Sequence, residues 1–302
     1  MKIYVTGASG FIGSSLVRDL VAAGHHVTGL ARSDRGAAVV EAAGGAVHRG
    51  DLADLDSVVA GVGDADGVVH LAFSHDDMSQ IHANGQRDLA VVEALGTELE
   101  GSGRALVVTS GSALVAGSGS PADEDTAVDA SGGVGAARGP SEELTLALAD
   151  RGVRSSLVRL APSVHGDGDT HGFVPTLVRL ARERGVSGYV GEGANVWPAV
   201  HRLDAARLYR LAIESGPAGM RWHAIAEAGV PVREIAQAVG DAVGVPTTSI
   251  DPADAADHFG WIAGFATVDN PVSSTRTQQL LGWQPTGPTL LEDIRAGVYD
   301  GV

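Results

Sequence analysis

At 302 residues the chain is long enough for one large α/β domain with a smaller lobe, and its apolar runs are strand-length, which excludes a membrane-spanning helix. A formal net charge of −16 argues against nucleic acid or an anionic membrane as partner, so any bound phosphate must be held by local groups. With no cysteine there are no disulfides and no thiolate nucleophiles or metal ligands. The first strand begins at residue 2 and leaves no room for a signal peptide, so a cytoplasmic location is expected.

Residues 3–5 read as a short buried strand, and an apolar-periodic helix follows from about 11 to 23. Between them Gly7, Gly10 and Gly13 recur at three-residue spacing. One glycine lets the chain turn out of the strand, one lets backbone N–H groups approach a pyrophosphate, and one lets the helix pack close to the sheet. The helix N-terminus adds unpaired N–H groups and a positive dipole end. Thr6, Gly7, Ser9, Gly10, Phe11, Ile12 and Gly13 are therefore expected to hold a dinucleotide.

The second strand covers 26–30 and ends in Ala31-Arg32-Ser33. NAD-binding folds place an acid near this point to bond the ribose hydroxyls. Here the acid is missing, and Arg32 offers a fork of donors to a 2′-phosphate, with Arg35 nearby. NADP(H) is accordingly preferred over NAD(H); the alternative is a solvated surface arginine and no preference. Residues 47–50 lead into Asp51-Leu52, whose carboxylate caps a helix over 54–61, serves the adenine as the family resemblance described below implies, or both. The fourth strand, 66–71, leads through Leu71 and Ala72 beneath the cofactor.

His75, Asp76 and Asp77, with His82 beyond, lack the spacing of metal ligands, so no metal is expected; polar substrate contacts there are what the family resemblance described below implies. A long helix over 84–99 and a fifth strand over 105–109 follow, the latter ending in Ser110-Gly111-Ser112. The Gly/Ser/Ala/Asp-rich stretch 116–139 reads as a mobile loop, 140–149 as a helix opened by Pro140, and 154–160 as the sixth strand. Further helices are expected over 173–184 and 231–243, and the alternating His and Asp of 165–171 read as a solvent-facing turn.

Thr6-Gly-Ala-Ser-Gly-Phe-Ile-Gly13 resembles the glycine motif of the extended short-chain dehydrogenase/reductases, the superfamily of nucleotide-sugar epimerases, dehydratases and related reductases. Later landmarks extend the resemblance over nearly the whole chain. They are Asp51-Leu52, Asn84 with Glu93-Ala94, Ser110 to Gly117, and Arg159-Leu-Ala-Pro162-Ser-Val164-His165-Gly166. Val200-His201-Arg-Leu-Asp204, Ser273-Ser274 and Leu281-Gly282-Trp283 with Pro285 complete the set.

The resemblance implies a Rossmann-type, doubly wound parallel sheet in strand order 3-2-1-4-5-6-7, with a smaller C-terminal substrate lobe. Residues 1–164 would form the dinucleotide-binding domain, with 196–228 returning to it; 165–195 and 229–302 would form the lobe. Ser110, Pro162 and Val164 join the expected cofactor contacts, and Ser112 is the serine that bonds the reacting oxygen. The partner is a small molecule, for which Phe173 and Trp197 suit an apolar or aromatic character. Helices at 84–99 and 140–149 offer the four-helix contact through which relatives form homodimers.

One departure is decisive. The superfamily's Tyr-x-x-x-Lys pair performs the proton chemistry, its lysine lowering the tyrosine pKa. At the matching positions stand Val134 and Arg138, and the chain's only lysine is Lys2. Two main readings follow. The chain is an NADP(H)-dependent reductase of C=O, C=N or C=C substrates, with Ser112 and Arg138 at the site and His165, then His201, as proton donors. Alternatively it is a catalytically silent NADP(H)-binding redox sensor. An epimerase or dehydratase comes a distant third, because it needs the missing tyrosine in both directions.

Overall fold

The computed structural model describes residues 1–74, 80–117 and 121–302. The first half alternates strand and helix: β1 (Lys2–Thr6), α1 (Phe11–Ala22), β2 (His26–Ala31), α2 (Asp34–Ala42), β3 (Ala46–Arg49), α3 (Leu55–Ala60) and β4 (Gly67–His70). Then come α4 (Ile81–Leu99), β5 (Ala105–Gly111), α5 (Gly133–Ala147), β6 (Arg154–Leu160) and β7 (Ser163–His165). The second half holds α6 (Phe173–Arg184), β8 (Ser187–Val190), β9 (Val196–His201), α7 (Arg202–Ser215), β10 (Met220–Ala224), β11 (Glu227–Pro231), α8 (Val232–Val243) and β12 (Thr247–Ile250). Short helices α9 (Ala255–Phe259), α10 (Ala263–Ala266), α11 (Thr275–Leu281) and α12 (Leu290–Arg295) close the chain.

Seven strands form one parallel sheet in the order β10-β6-β5-β4-β1-β2-β3, the doubly wound arrangement read from the sequence. Its inner strands are apolar on both faces because helices cover both. One core layer joins Leu16, Val17, Leu20, Leu208 and Ile213 to the sheet; the other joins Val91, Val92, Leu95, Leu99 and Leu148. A third core, around Val174, Val178, Ile235, Val239 and Phe259, belongs to the C-terminal segments. The strand order reverses between β4 and β1, which opens a crevice at their carboxyl ends. Among the described residues no helix is long and apolar enough to cross a membrane.

Three local expectations are corrected. The helix expected at 140–149 begins at Gly133 and carries Pro140 in its interior. The small residues that imitate a loop are what let α5 lie against α4: a Cβ on Gly85 would stand 2.0 Å from the Ala137 carbonyl oxygen. Tertiary packing thus outweighs the poor helix propensity of glycine and proline. Second, the described part of the 116–139 stretch is anchored. Ala122 bridges to Val272, and buried Glu124 accepts from the Thr277 N–H and hydroxyl, both at 2.7 Å. Third, the 165–171 turn is only partly solvent-facing, since His165 and Asp169 are buried. His75, Asp76 and Asp77 lie outside the described residues; His82 is exposed on α4.

Candidate active site

The crevice begins at the turn between β1 and α1. Gly7 has φ +69°, and a Cβ there would come 2.8 Å from the backbone nitrogen of Ala72. At Gly13 a Cβ would stand 2.0 Å from the Gly7 carbonyl oxygen. Both positions need glycine, one for its dihedral and both for close approach. The N-cap of α1 is Gly10, which has no side chain to cap it, so the first N–H groups of the helix are suited to an anion.

From this turn a groove of about 600 Å³ runs along the strand ends. Gly7, Ser9, Gly10, Arg32, Asp51, Leu52, Leu71 and Ala72 line it, all of them positions expected to bind cofactor. At its β2 end, Ser33 caps α2 by accepting from Gly36 N at 3.1 Å, and Ser9 Oγ lies 3.2 Å from where a Gly36 Cβ would be. The Arg32 side chain is 78% exposed and stands 3.9 Å from Asp51. Two hydroxyls, a helix N-terminus and a guanidinium thus gather there. The cradle and this donor set fit a dinucleotide.

The other expected residues stand around the groove without lining it. Thr6, Gly13 and Ala31 are buried behind it, and Phe11 and Ile12 open α1, with the Arg202 guanidinium 5.6 Å from the Phe11 ring centre. Pro162 and Val164 are half-buried beyond β6. The Ser110 hydroxyl is committed to Glu142 Oε1 at 2.5 Å. Ser112 is fully buried just past β5, and its hydroxyl has no protein partner among the described residues.

Behind the groove lies a polar network that sequence reasoning missed. Thr6 Oγ1 is 2.6 Å from His70 Nδ1, and His70 Nε2 is 3.2 Å from Asp88 Oδ1. Burial raises the Asp88 pKa, but the His70 hydrogen bond and the charges of His70 and Arg138 outweigh it, leaving the carboxyl below the usual carboxylate range. Arg138 donates from Nη2 to the Thr109 carbonyl at 2.9 Å, stands 4.0 Å from Asp88 Oδ2, and stacks 3.8 Å from the Phe73 ring centre. Burial pulls its pKa down while Asp88 and Glu142 pull it up. The arginine at the lysine position is therefore bound into the protein. A signal did exist: Asn84, Arg87 and Asp88 lie on one face of α4 and line the groove together.

The two histidines proposed as proton donors lie elsewhere. On adjacent strands β7 and β9, their rings are 5.5 Å apart. His165 is fully buried, with Nδ1 2.6 Å from Asp293 Oδ2 and Nε2 unpaired among the described residues. Burial lowers its pKa against the raising effect of Asp293. His201 Nδ1 accepts from Leu203 N at 3.4 Å, capping α7. Neither histidine lines the groove.

The sequence model of the NAD dependent epimerase/dehydratase family matches residues 3–224. An uncharacterized protein of Schizosaccharomyces pombe is 46% identical over 299 residues, covering 99% of this chain and 100% of that one. The 2-alkyl-3-oxoalkanoate reductase of Stenotrophomonas maltophilia is 31% identical over 264 residues, 82% of this chain and 77% of that one. Among solved structures, the dTDP-glucose 4,6-dehydratase of Streptomyces venezuelae with NAD bound superposes with a TM-score of 0.80. It is 20% identical and covers 99% of this chain and 96% of that one, a likeness that speaks to fold alone.

Proposed function

The chain belongs to the NAD dependent epimerase/dehydratase family, and from that premise we propose that it is an NADP(H)-dependent reductase of small C=O or C=N substrates. Members of the family bind a nicotinamide dinucleotide, which when bound supplies the hydride. The observation that carries the NADP(H) preference is the β2 end of the groove. Exposed Arg32 and the Ser9 and Ser33 hydroxyls gather at the N-terminus of α2, and Ala31 leaves the end of β2 without a carboxylate, so that the acids nearby are Asp34 in the first turn of α2 and Asp51, 3.9 Å from Arg32. Such a set suits a phosphate dianion.

The division of labour assigns cofactor binding to 1–164 with 196–228, and substrate binding to 165–195 and 229–302. Within the site, Ser112 polarises the acceptor by hydrogen bonding through its hydroxyl, which has no partner among the described residues. Arg138, held by Asp88, Thr109 and Phe73, supplies a fixed positive charge instead of a mobile proton. The proton then comes from water, or arrives on the substrate, as it does on a basic imine nitrogen. The absence of the Tyr-x-x-x-Lys pair weighs against sugar epimerisation or dehydration. The name of the S. maltophilia relative, a reductase of a 3-oxo acid, supports carbonyl reduction.

Calorimetric titration with NADPH, NADP, NADH and NAD tests the reading, repeated with Arg32→Ala. NADPH should bind more tightly than NADH, and the variant should lose roughly 10–100-fold for NADPH alone, the equivalent of one or two charge-assisted hydrogen bonds. Equal affinities for NADPH and NADH would refute the phosphate clamp. Nucleotide binding without turnover of ketones, enones or cyclic imines would favour the redox-sensor reading.

A further inference from the structure

Two arginines line the groove, Arg32 at the end of β2 and Arg87 on α4. The α4 residues in its wall are Asn84, Arg87, Asp88 and Val91, whose spacing puts them on one helix face. Asn84 is buried and fixed, its Nδ2 donating to the Ser74 carbonyl at 3.1 Å. Its Oδ1 accepts from Arg87 Nη1 at 3.2 Å, so the exposed guanidinium is tethered at the groove.

The tether leads back to the glycine turn. Ala72 N lies 2.8 Å from where a Cβ of Gly7 would stand, and Ser74, which holds Asn84, is the second residue after Ala72. Two residues of extended chain span at most about 7 Å. One turn beyond Arg87, Val91 joins the apolar cluster of Leu30, against which Leu52 packs. Arg87 thus stands between the glycine turn, where a dinucleotide places its diphosphate, and the apolar slot beside Asp51. Helices α1 and α4 cover opposite faces of the sheet, so Arg87 meets the groove from the side away from the α1 N-terminus.

Its charge is uncommitted. Of the two carboxylates lining the groove, Asp51 stands 3.9 Å from Arg32, and Asp88 is engaged by His70 and Arg138. Among the described residues no carboxylate pairs with Arg87, and Asn84 is its hydrogen-bond partner. In a chain of net charge −16, such a cation makes this wall locally attractive to an anion.

We propose that Arg87 clamps the diphosphate of the bound dinucleotide from the α4 side, its guanidinium fork donating to phosphate oxygens that the α1 N-terminus leaves free. The two arginines then divide the work. Arg32 selects the 2′-phosphate, and Arg87 holds the diphosphate common to NADPH and NADH. The assignment rests on the dinucleotide-binding reading but not on the preference for NADP(H).

ADP and 2′-AMP separate the two tasks, since the first has only the diphosphate and the second only the 2′-phosphate. Both are titrated by calorimetry, with NADPH and NADH, into wild type, Arg87→Ala, Arg87→Lys and Arg32→Ala. Arg87→Ala should weaken NADPH, NADH and ADP alike by about tenfold, the scale of one charge-assisted contact, and leave 2′-AMP within about twofold. Arg87→Lys should recover part of the loss, and Arg32→Ala should show the reverse pattern. At about 1 M NaCl, where the screening length is ~3 Å, the gap between wild type and Arg87→Ala should narrow. Unchanged ADP and NADH affinity in Arg87→Ala would overturn the clamp and leave the cofactor reading standing. Equal losses for ADP and 2′-AMP would overturn it too, assigning the guanidinium to the adenosine that both share. Equal wild-type affinity for NADPH and NADH, with both weakened in Arg87→Ala, would sink the 2′-phosphate preference and keep the clamp. Wild type that binds none of the four would sink both.

Discussion

Glu142→Gln is the perturbation for which the structure gives the clearest energetic expectation. Glu142 is buried on α5 beneath the ends of β5 and β6. It accepts from Ser110 Oγ at 2.5 Å, from Arg159 Nε at 3.0 Å and from Arg159 Nη2 at 2.6 Å. Arg159 is fully buried, and a second guanidinium, Arg221, approaches Glu142 to 3.9 Å. Glutamine keeps the size and one acceptor oxygen but leaves two arginines facing each other with the carboxylate gone. Removing one partner of a buried pair costs about 3–5 kcal/mol. The donation from Arg159 Nη1 to the Thr126 carbonyl at 2.8 Å survives and holds the cost to about 4 kcal/mol within that range. Urea denaturation at pH 7 reads this loss directly; a thermal scan should show a fall of roughly 6 °C, given an unfolding entropy of about 2.1 cal/mol/K per residue. Glu142→Leu with Arg159→Met should recover most of the stability, because it removes both charges and their desolvation cost. A single-variant loss under about 1 kcal/mol, the range of an exposed pair, would refute the reasoning. So would a double variant no better than the single one.

Other consequences are equally direct. The Asp169 carboxyl is pushed up to about 6 by burial, above its unfolded value, so the folded state holds the proton more tightly. Its contribution is fully present below the unfolded value and is lost as pH rises through 6, of which about 2 kcal/mol falls between pH 4.5 and 7. Asp169→Asn should flatten that slope relative to wild type in urea titrations at pH 4.5 and 7; parallel slopes would contradict the assignment. Gly13→Ala forces a Cβ to within 2.0 Å of the Gly7 carbonyl oxygen, so the turn or α1 must shift. Calorimetry should record at least a roughly tenfold loss of NADPH affinity, with about 1–3 kcal/mol of stability lost to overpacking. Unchanged affinity would remove the glycine turn from the site. Arg138→Lys cannot reproduce both the planar stack on Phe73 and the fork between Thr109 and Asp88. A loss of about 1–2 kcal/mol in urea denaturation is expected, and a neutral result would mean that charge alone matters there.

What the sequence by itself determined is the local part of this molecule. The strand, the turn at Gly7 and helix α1 were legible because period, glycine dihedral and close packing are written within a dozen residues. The succession of strands was legible because their apolar runs follow one another in a βαβ rhythm, and the reversal of their order was implied by the family resemblance. The missing Tyr-x-x-x-Lys pair was equally plain, since only Lys2 is lysine. Tertiary structure alone decided what each polar side chain does. His165 meets Asp293 across 128 positions of sequence, Glu142 holds Arg159 across 17, and Arg138 is fixed by Phe73, Asp88 and Thr109 from three different segments. Nor does the sequence reveal that 133–139 is helix, because the contact between α4 and α5 overrules weak local propensity. Local dihedral preference acts between neighbours along the chain, whereas a buried charge or ring takes whichever partner the completed packing sets beside it.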